Sequence, residues 1–452
     1  MLTRRRMPRG QDPITEFRDW NEELQSILDI PDMTNANSKD VLNDRIIREK
    51  CINRFWAEFT QAAVKGAQAA VRGELTPLPT DPPEHADPTP LPRSQLFMQN
   101  GIFYSIGYDQ GSIMDTLGGT AAWHASSGKD ILGIRNTNEI IQNLNNQYLS
   151  REDTENGADE INPCFLRTVV TVAVDYCGRR VICQAIVPGI LRANAMKLAY
   201  GSADDGKTVR RSSHWITETE QLGKAMLLAP HIVTDAEGQE FNLSFSRDVK
   251  GIDGTDGRKY LLEMFRVWPV DKFWIDEECN TGESSLPPYL HQIALIRPEL
   301  IQSYYASRLF AWSNAKSQEL LDKAKQQADS GNEQPQDAVS QPEKLFVNLN
   351  DFKWAYNPDA FTPADRKEDV QSNDAVHVLD LGRHLRETVI PLFVRELKNY
   401  QVTPVDGKSL TEAMHANGIN MRYLGKILIL LEKDSTSSHT FPQVCFSNDF
   451  RT

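Results

Sequence analysis

Eight consecutive residues, Gly201-Ser202-Ala203-Asp204-Asp205-Gly206-Lys207-Thr208, match the phosphate-loop pattern literally. In that motif backbone amides cradle the phosphates, while Lys and Thr serve the terminal phosphate and Mg²⁺. The flanks argue otherwise. Two carboxylates inside the loop repel the phosphates they should hold. The motif also needs a buried strand before it and a helix after it. Here Ala199-Tyr200 precede it and Val209-Arg210-Arg211-Ser212 follow, so the stretch reads as a surface turn. A nucleotide-dependent enzyme built from Lys207, Asp253 and Asp256 stands as the alternative.

Two further clusters invite a metal. Asp253, Asp256 and Glu263 could gather the carboxylate oxygens that hard cations require, yet Asp-Gly pairs are favoured in hairpin turns for their backbone geometry alone. His377, Asp380 and His384 fall at i, i+3 and i+7 on a predicted helix; a solvated helical face explains them equally and no fourth ligand suggests itself. No nucleophile elbow, His-Glu-x-x-His run or kinase signature is present. The sequence assigns no catalytic residue, cofactor or metal.

Local cations are the remaining chemistry. Arg179-Arg180 and Lys207-Arg210-Arg211 lie near Tyr176, Tyr200 and Trp215 in sequence, a mixture suited to single-stranded RNA by charge and stacking. Arg179, Arg180, Arg210 and Arg211 are the candidate RNA contacts, with Arg422 and Lys426 in the tail as the other candidates.

The elements that must position these residues are legible in outline. Residues 38–73 read as a long amphipathic helix in which Ile47, Cys51, Phe55, Phe59, Ala63, Gly66 and Ala70 recur at three or four residues. Seven prolines between 77 and 92 make 76–94 a linker of extended geometry. Residues 96–310 read as β-rich: Val170 to Tyr176 and Val181 to Val187 suggest a hairpin, Phe241, Leu243 and Phe245 alternate, and the loop 253–257 turns the chain into the run 260–265. Pro298 starts a helix carrying Ile301, Tyr305, Leu309 and Trp312. Residues 326–344 are polar enough to read as a disordered linker. The tail is helical, with a capping box at Ser409 and Glu412, a stop at Gly418 and a second run from Met421. The expected fold class is α+β: a largely antiparallel sheet domain (95–325) between an N-terminal helical segment (1–75) and a C-terminal helical region (345–452).

Composition narrows the function classes. Acidic residues outnumber basic ones to give a formal net charge of −13 over 452 residues, which repels phosphate backbones and anionic lipid surfaces. Any nucleic-acid contact must therefore come from a local basic face. Six scattered cysteines without a CxxC pair point to a reducing compartment. No run approaches a membrane span, and the basic start lacks an apolar stretch. The expected location is the cytoplasm.

The same blocks resemble the Clu family, the clustered-mitochondria proteins, over nearly the whole chain. The resemblance rests on Arg18-Asp19-Trp20-Asn21-Glu22-Glu23-Leu24-Gln25, the run 59–66 with Arg72-Gly73, and Asn100-Gly101-Ile102-Phe103-Tyr104-Ser105-Ile106-Gly107. It continues in Val174-Asp175-Tyr176, Gly178-Arg179-Arg180-Val181, Ile186-Val187-Pro188-Gly189-Ile190-Leu191, Tyr200-Gly201-Ser202, Gly206-Lys207-Thr208-Val209, Lys250-Gly251-Ile252 and Asp256-Gly257-Arg258. In the tail, Pro404-Val405-Asp406-Gly407 and the run 418–426 look like the start of the family's helical region. The resemblance implies a cytosolic, non-enzymatic protein that binds messenger RNAs of mitochondrial proteins, associates with the translation machinery, reaches the mitochondrial surface indirectly and keeps mitochondria dispersed. Relatives carry the Tyr-Gly-Ser and Gly-Lys-Thr-Val pieces without being regarded as nucleotide hydrolases. Glu263 and Trp268 stand where the family commonly has Asp and Phe. Neither the family's upstream ubiquitin-like module nor its tetratricopeptide array is recognisable within the 452 residues. A purely protein-binding scaffold is the third reading.

Overall fold

The computed structural model describes residues 18–29, 39–78, 95–107, 113–149, 163–190, 198–202, 204, 206–279, 289–329, 347–362, 364 and 372–433. Most of the proline-rich stretch and of the polar stretch 326–344 lies outside the described residues. The chain divides into two compact units: Met1–Pro269 with Trp274–Ala294 and Asn357–Lys367, and Val270–Phe273 with Leu295–Tyr356 and Glu368–Thr452.

In the first unit two helices, α1 (Trp20–Leu28) and α2 (Lys39–Val71), share a core with a four-stranded sheet. Asp19 caps α1 by accepting from Glu22 N at 2.9 Å. Trp20 sits edge-on to Phe55 and Phe59 of α2. The stripe expected on α2 is buried from Phe55 onward, whereas Ile47 and Cys51 are exposed. Gly66 is a point of close approach, since a Cβ there would lie 2.0 Å from the Tyr104 hydroxyl. The expected boundary at residue 75 thus does not separate the long helix from the sheet it covers.

That sheet runs β1 (Leu96–Gln99), β2 (Ile102–Ser105), β5 (Arg179–Ala185), β4 (Thr171–Tyr176) in spatial order, all antiparallel. Helices α3 (Ile113–Leu117) and α4 (Gly119–Leu149) follow β2, and α4 corrects the reading of this region as β-rich. Its inner face includes Ala122, Ser126, Gly133, Ile134, Thr137 and Ile141, too small and polar for the periodic apolar signal that betrays a helix. Strand β3 (Leu166–Thr168) precedes the hairpin β4 (Thr171–Tyr176) and β5 (Arg179–Ala185), which turns at Cys177-Gly178 with φ of 49° and 72°, as a two-residue hairpin loop requires.

The second sheet is ordered β3, β11, β10, β6, β7, from β6 (Leu198–Ser202), β7 (Val209–Arg211), β10 (Lys250–Asp253) and β11 (Lys259–Leu262). Pairing is antiparallel except for β3 beside β11, a parallel pair that needs the long connection between them. Helix α5 (Ile216–Ala225) and the hairpin β8 (His231–Thr234) and β9 (Glu240–Leu243) complete the unit.

Buried Asp359 ties residues 357–364 to this framework. It accepts from Arg247 N at 2.8 Å, Ser246 Oγ at 2.8 Å and the Arg266 guanidinium at 2.7 Å, and lies 3.0 Å from His231 Nε2. Burial alone would raise its pKa, but the His231 hydrogen bond and the Arg266 charge hold it well below the usual carboxylate range.

The second unit is helical: α6 (Pro298–Asp329), α7 (Asn373–His384), α8 (Ile390–Lys398), α9 (Gly407–Ala416) and α10 (Leu424–Lys433). Helices α7 and α8 are continuous through a π-turn at Leu385–Val389. Pro391, just beyond it, cannot donate to the i→i−4 ladder. The capping box of α9 is formed by Asp406 and Ser409 rather than Ser409 and Glu412, so the helix starts one turn earlier than its sequence suggests. Buried Asp271 accepts from Arg422 at 2.8 Å and from Tyr423 Oη at 2.6 Å, fixing the start of α10.

Candidate nucleic-acid interface

Residues 201–208 link β6 to antiparallel β7, with Ser202 opposite Val209, and so form a strand-loop-strand rather than the strand-loop-helix of a phosphate cradle. Its described polar groups bond to one another. Asp204 Oδ1 accepts from Thr208 N at 2.7 Å and from Ser202 Oγ at 3.1 Å, while Gly206 N donates to Ser202 Oγ at 2.7 Å. The amide groups a phosphate would need are thus held by the loop's own side chains. Gly201 carries φ of 80°, and a Cβ there would lie 1.8 Å from Val249 O; the first glycine of the motif serves sheet packing. Exposed Lys207 directs no ion pair at any described residue. The surface-turn reading holds.

The carboxylates of the next hairpin separate. Asp253 is 3.0 Å from His214 Nε2 and accepts from Trp215 Nε1 at 3.0 Å. Asp256 accepts from Tyr260 Oη at 2.6 Å and from Arg258, and Glu263 pairs with Lys250. Among the described residues no group of three His, Cys, Asp or Glu is placed to hold a metal ion. On α7, His377 Nδ1 is bonded to Ala355 O at 2.9 Å, Asp380 pairs with Arg383, and burial lowers the pKa of His384.

The six RNA candidates meet different fates. Arg179 and Arg180 open β5, and Arg210 and Arg211 lie on β7, an edge strand of the other sheet. Successive strand residues point to opposite faces, and each pair is divided accordingly. Arg180 makes two bonds of 2.8 Å to Asp175 and one of 2.9 Å to His124 O on α4; its guanidinium holds the Asp175 carboxyl below its ordinary range. Arg211 pairs with Glu220 on α5 at 2.8 Å. Arg179 and Arg210 are exposed and have no carboxylate partner among the described residues. Arg422, with a side chain 5% exposed, is committed to Asp271 and Leu295 O, which removes it from the set a strand could reach. Lys426 lies over the Tyr423 ring at 5.7 Å.

Sequence reasoning missed an aromatic assembly in the helical unit. Residues 352–354 bring Phe352 and Trp354 side by side, with centroids 6.0 Å apart and planes 11° from parallel. His377 stacks on Trp354 at 3.7 Å and 13°, and Trp312 of α6 lies 5.4 Å from Phe352. Arg308, one turn before Trp312, holds its guanidinium 4.9 Å from the Trp354 centroid. With Lys353 and Asp351 these residues line a groove of about 510 Å³. The available signal is Trp312 and Arg308 four residues apart on a helix and the alternation Phe352, Trp354, Tyr356 after the polar stretch.

Sequence comparison adds an independent view. Residues 19–274 match the family described as Clustered mitochondria, and residues 401–448 match translation initiation factor eIF3 subunit 135. Proteins named Clustered mitochondria protein homolog are 33% identical in Phaeosphaeria nodorum (94% of this chain, 32% of the relative) and 31% identical in Botryotinia fuckeliana (92% and 32%). The homologue in Neurospora crassa is 30% identical over 96% of this chain and 34% of its own length. The chain spans about a third of the length of the curated relatives it matches. No solved structure matches it.

Proposed function

Since the chain belongs to the Clustered mitochondria family, we propose that it serves the intracellular distribution of mitochondria as a cytoplasmic binding protein, engaging messenger RNA and the translation machinery rather than catalysing a reaction. The observation that carries this reading is the position of the family match, residues 19–274. It covers the two sheets whose strands present Arg179 and Arg210 without carboxylate partners among the described residues. The match of residues 401–448 to an eIF3 subunit supports a partner in translation.

Crosslinking in cells tests the reading. Messenger RNA should be recovered with the chain, and loss of the chain should collapse the mitochondrial network into clumps that the wild type disperses. A double variant, Arg179→Ser with Arg210→Ser, should recover less RNA while remaining folded. Recovery of no RNA above background would leave the protein-only scaffold, which one feature favours: Val405, 81% exposed, stands in the segment matched to the eIF3 subunit.

A further inference from the structure

We propose that the groove between α6 and residues 351–354 binds a base and an adjoining phosphate of single-stranded RNA. The proposal rests on the reading that the chain engages RNA and adds a site for it in the helical unit, apart from the strand-end arginines.

Core aromatics are ordinarily covered by neighbours, yet Trp312, Phe352, Trp354 and His377 are all only partly buried and line one open groove. The Phe352, Trp354 and His377 planes lie within 13° of their stacking neighbours. A set of near-parallel rings extends naturally by one more flat ring, and base-aromatic stacking contributes about 1–3 kcal/mol per base whatever the base. The groove volume of about 510 Å³ falls in the range of small-molecule sites.

Charge decides what kind of flat ligand fits. Arg308 and Lys353 are exposed on the groove lining and pair with no carboxylate among the described residues, whereas one carboxylate, Asp351, shares the lining. The balance favours an anionic group beside the ring. A base with its phosphate supplies both; a proline-rich peptide would use the rings and leave the cations idle. His377 adds a fixed ring to the lining, held by Nδ1 at 2.9 Å from Ala355 O.

The test uses the full chain and a fluorescein-labelled, mixed-sequence 12-nucleotide RNA, followed by anisotropy at two salt concentrations. Trp312→Leu should raise Kd about tenfold. The surface double variant Arg308→Ser with Lys353→Ser is chosen because it should fold even if Trp312→Leu does not. It should reduce the slope of log K against log salt by about 1.4, twice the single-strand value per cation. Unchanged affinity and slope in the groove variants, with Arg179→Ser and Arg210→Ser weakening binding, would sink the groove and leave the RNA reading standing. Absence of binding by the wild type would sink both. Displacement by AMP at the concentration of the strand, or binding of a proline-rich peptide in place of RNA, would overturn the assignment to a strand.

Discussion

The loop at 201–208 and the groove at 308–377 teach opposite lessons about where binding chemistry resides. The loop has the residues of a phosphate site, but its amides and hydroxyl are bonded to Asp204 and Ser202 within the loop itself. The groove matches no motif, yet its aromatic residues are only partly buried and its two cations have no carboxylate partner among the described residues. A polar group already satisfied by its own fold has little left to offer a ligand, because any new contact must replace an existing one. Substitutions on the satisfied side should therefore change stability and leave RNA affinity alone, with the reverse at the groove.

The strongest satisfied group is Asp359, with four partners and no exposure. Asp359→Ala removes one of the two carboxylates that pair with buried Arg266, leaving Asp248 at 2.9 Å, and should lower stability by about 3 kcal/mol, read as a fall in the urea midpoint. Its folded pKa is depressed, so the folded state binds fewer protons than the unfolded chain at mildly acidic pH. The stabilisation is complete above the ordinary aspartate value and is lost as pH falls below it. In Asp359→Ala the acid-side decline of the unfolding midpoint should be shallower; an unchanged decline would show that other groups govern it.

Gly201→Ala comes next. A side chain at φ of 80° is strained, and its Cβ would lie 1.8 Å from Val249 O, so β6 and β10 must move apart. A loss of about 3 kcal/mol is expected from strain and overpacking together. If instead the glycine serves a phosphate, stability would hardly change and nucleotide binding would vanish, reversing the comparison.

Much of the sheet framework was readable because it depends on local signals. The Cys177-Gly178 turn, the loop 253–257 and the start at Pro298 are fixed by turn and cap chemistry and by period-two or period-four apolar spacing. Helix α4 was not, because its inner face uses Ser126, Gly133 and Thr137. The small size of Gly133 matters only through a contact with Met264 O, which no local window contains. The basic candidates failed as pairs for a related reason: proximity in sequence puts adjacent strand residues on opposite faces, so Arg180 and Arg211 turn to carboxylates while Arg179 and Arg210 do not. The burial of Arg422 depends on Asp271, 151 positions away. The groove depends on Trp312, Phe352 and His377 meeting from three segments, and nothing in any one of them announces it.

Asp204→Ala should have a smaller effect. It removes the acceptor of Thr208 N and the partner of Ser202 Oγ, but the residue is exposed and water can replace it in part. A loss of about 1 kcal/mol is expected. Burial tends to raise the Asp204 pKa, but the hydrogen bonds from Thr208 and Ser202 together outweigh it and hold the carboxyl below its ordinary range, so this contribution too is present above that range and fades in acid. The variant also frees the Thr208 amide. If Mg²⁺ and a fluorescent nucleotide then bind where the wild type does not, self-satisfaction by Asp204 is what closes the site; if neither binds, the strand-loop-strand geometry alone excludes a phosphate.

Lys207→Ala marks the low end of the scale and is the cleanest discriminator. The Lys207 backbone is engaged, donating to Asp204 O at 3.1 Å and accepting from Ala236 N at 3.1 Å, and alanine keeps both bonds. Its side chain is exposed without an ion pair to a described residue, so the unfolding midpoint should move by the equivalent of no more than about 0.5 kcal/mol. In a working phosphate loop this lysine reaches the terminal phosphates, and losing it would abolish turnover. ATP hydrolysis should accordingly be at background in the wild type and in the variant alike. Turnover above background that Lys207→Ala abolishes would make the conspicuous loop the functional one and remove the ground for a non-catalytic binding protein. Background turnover in both, with the salt slope for RNA also unchanged, would place Lys207 outside both chemistries and leave Arg179, Arg210 and the groove cations as the charges to pursue.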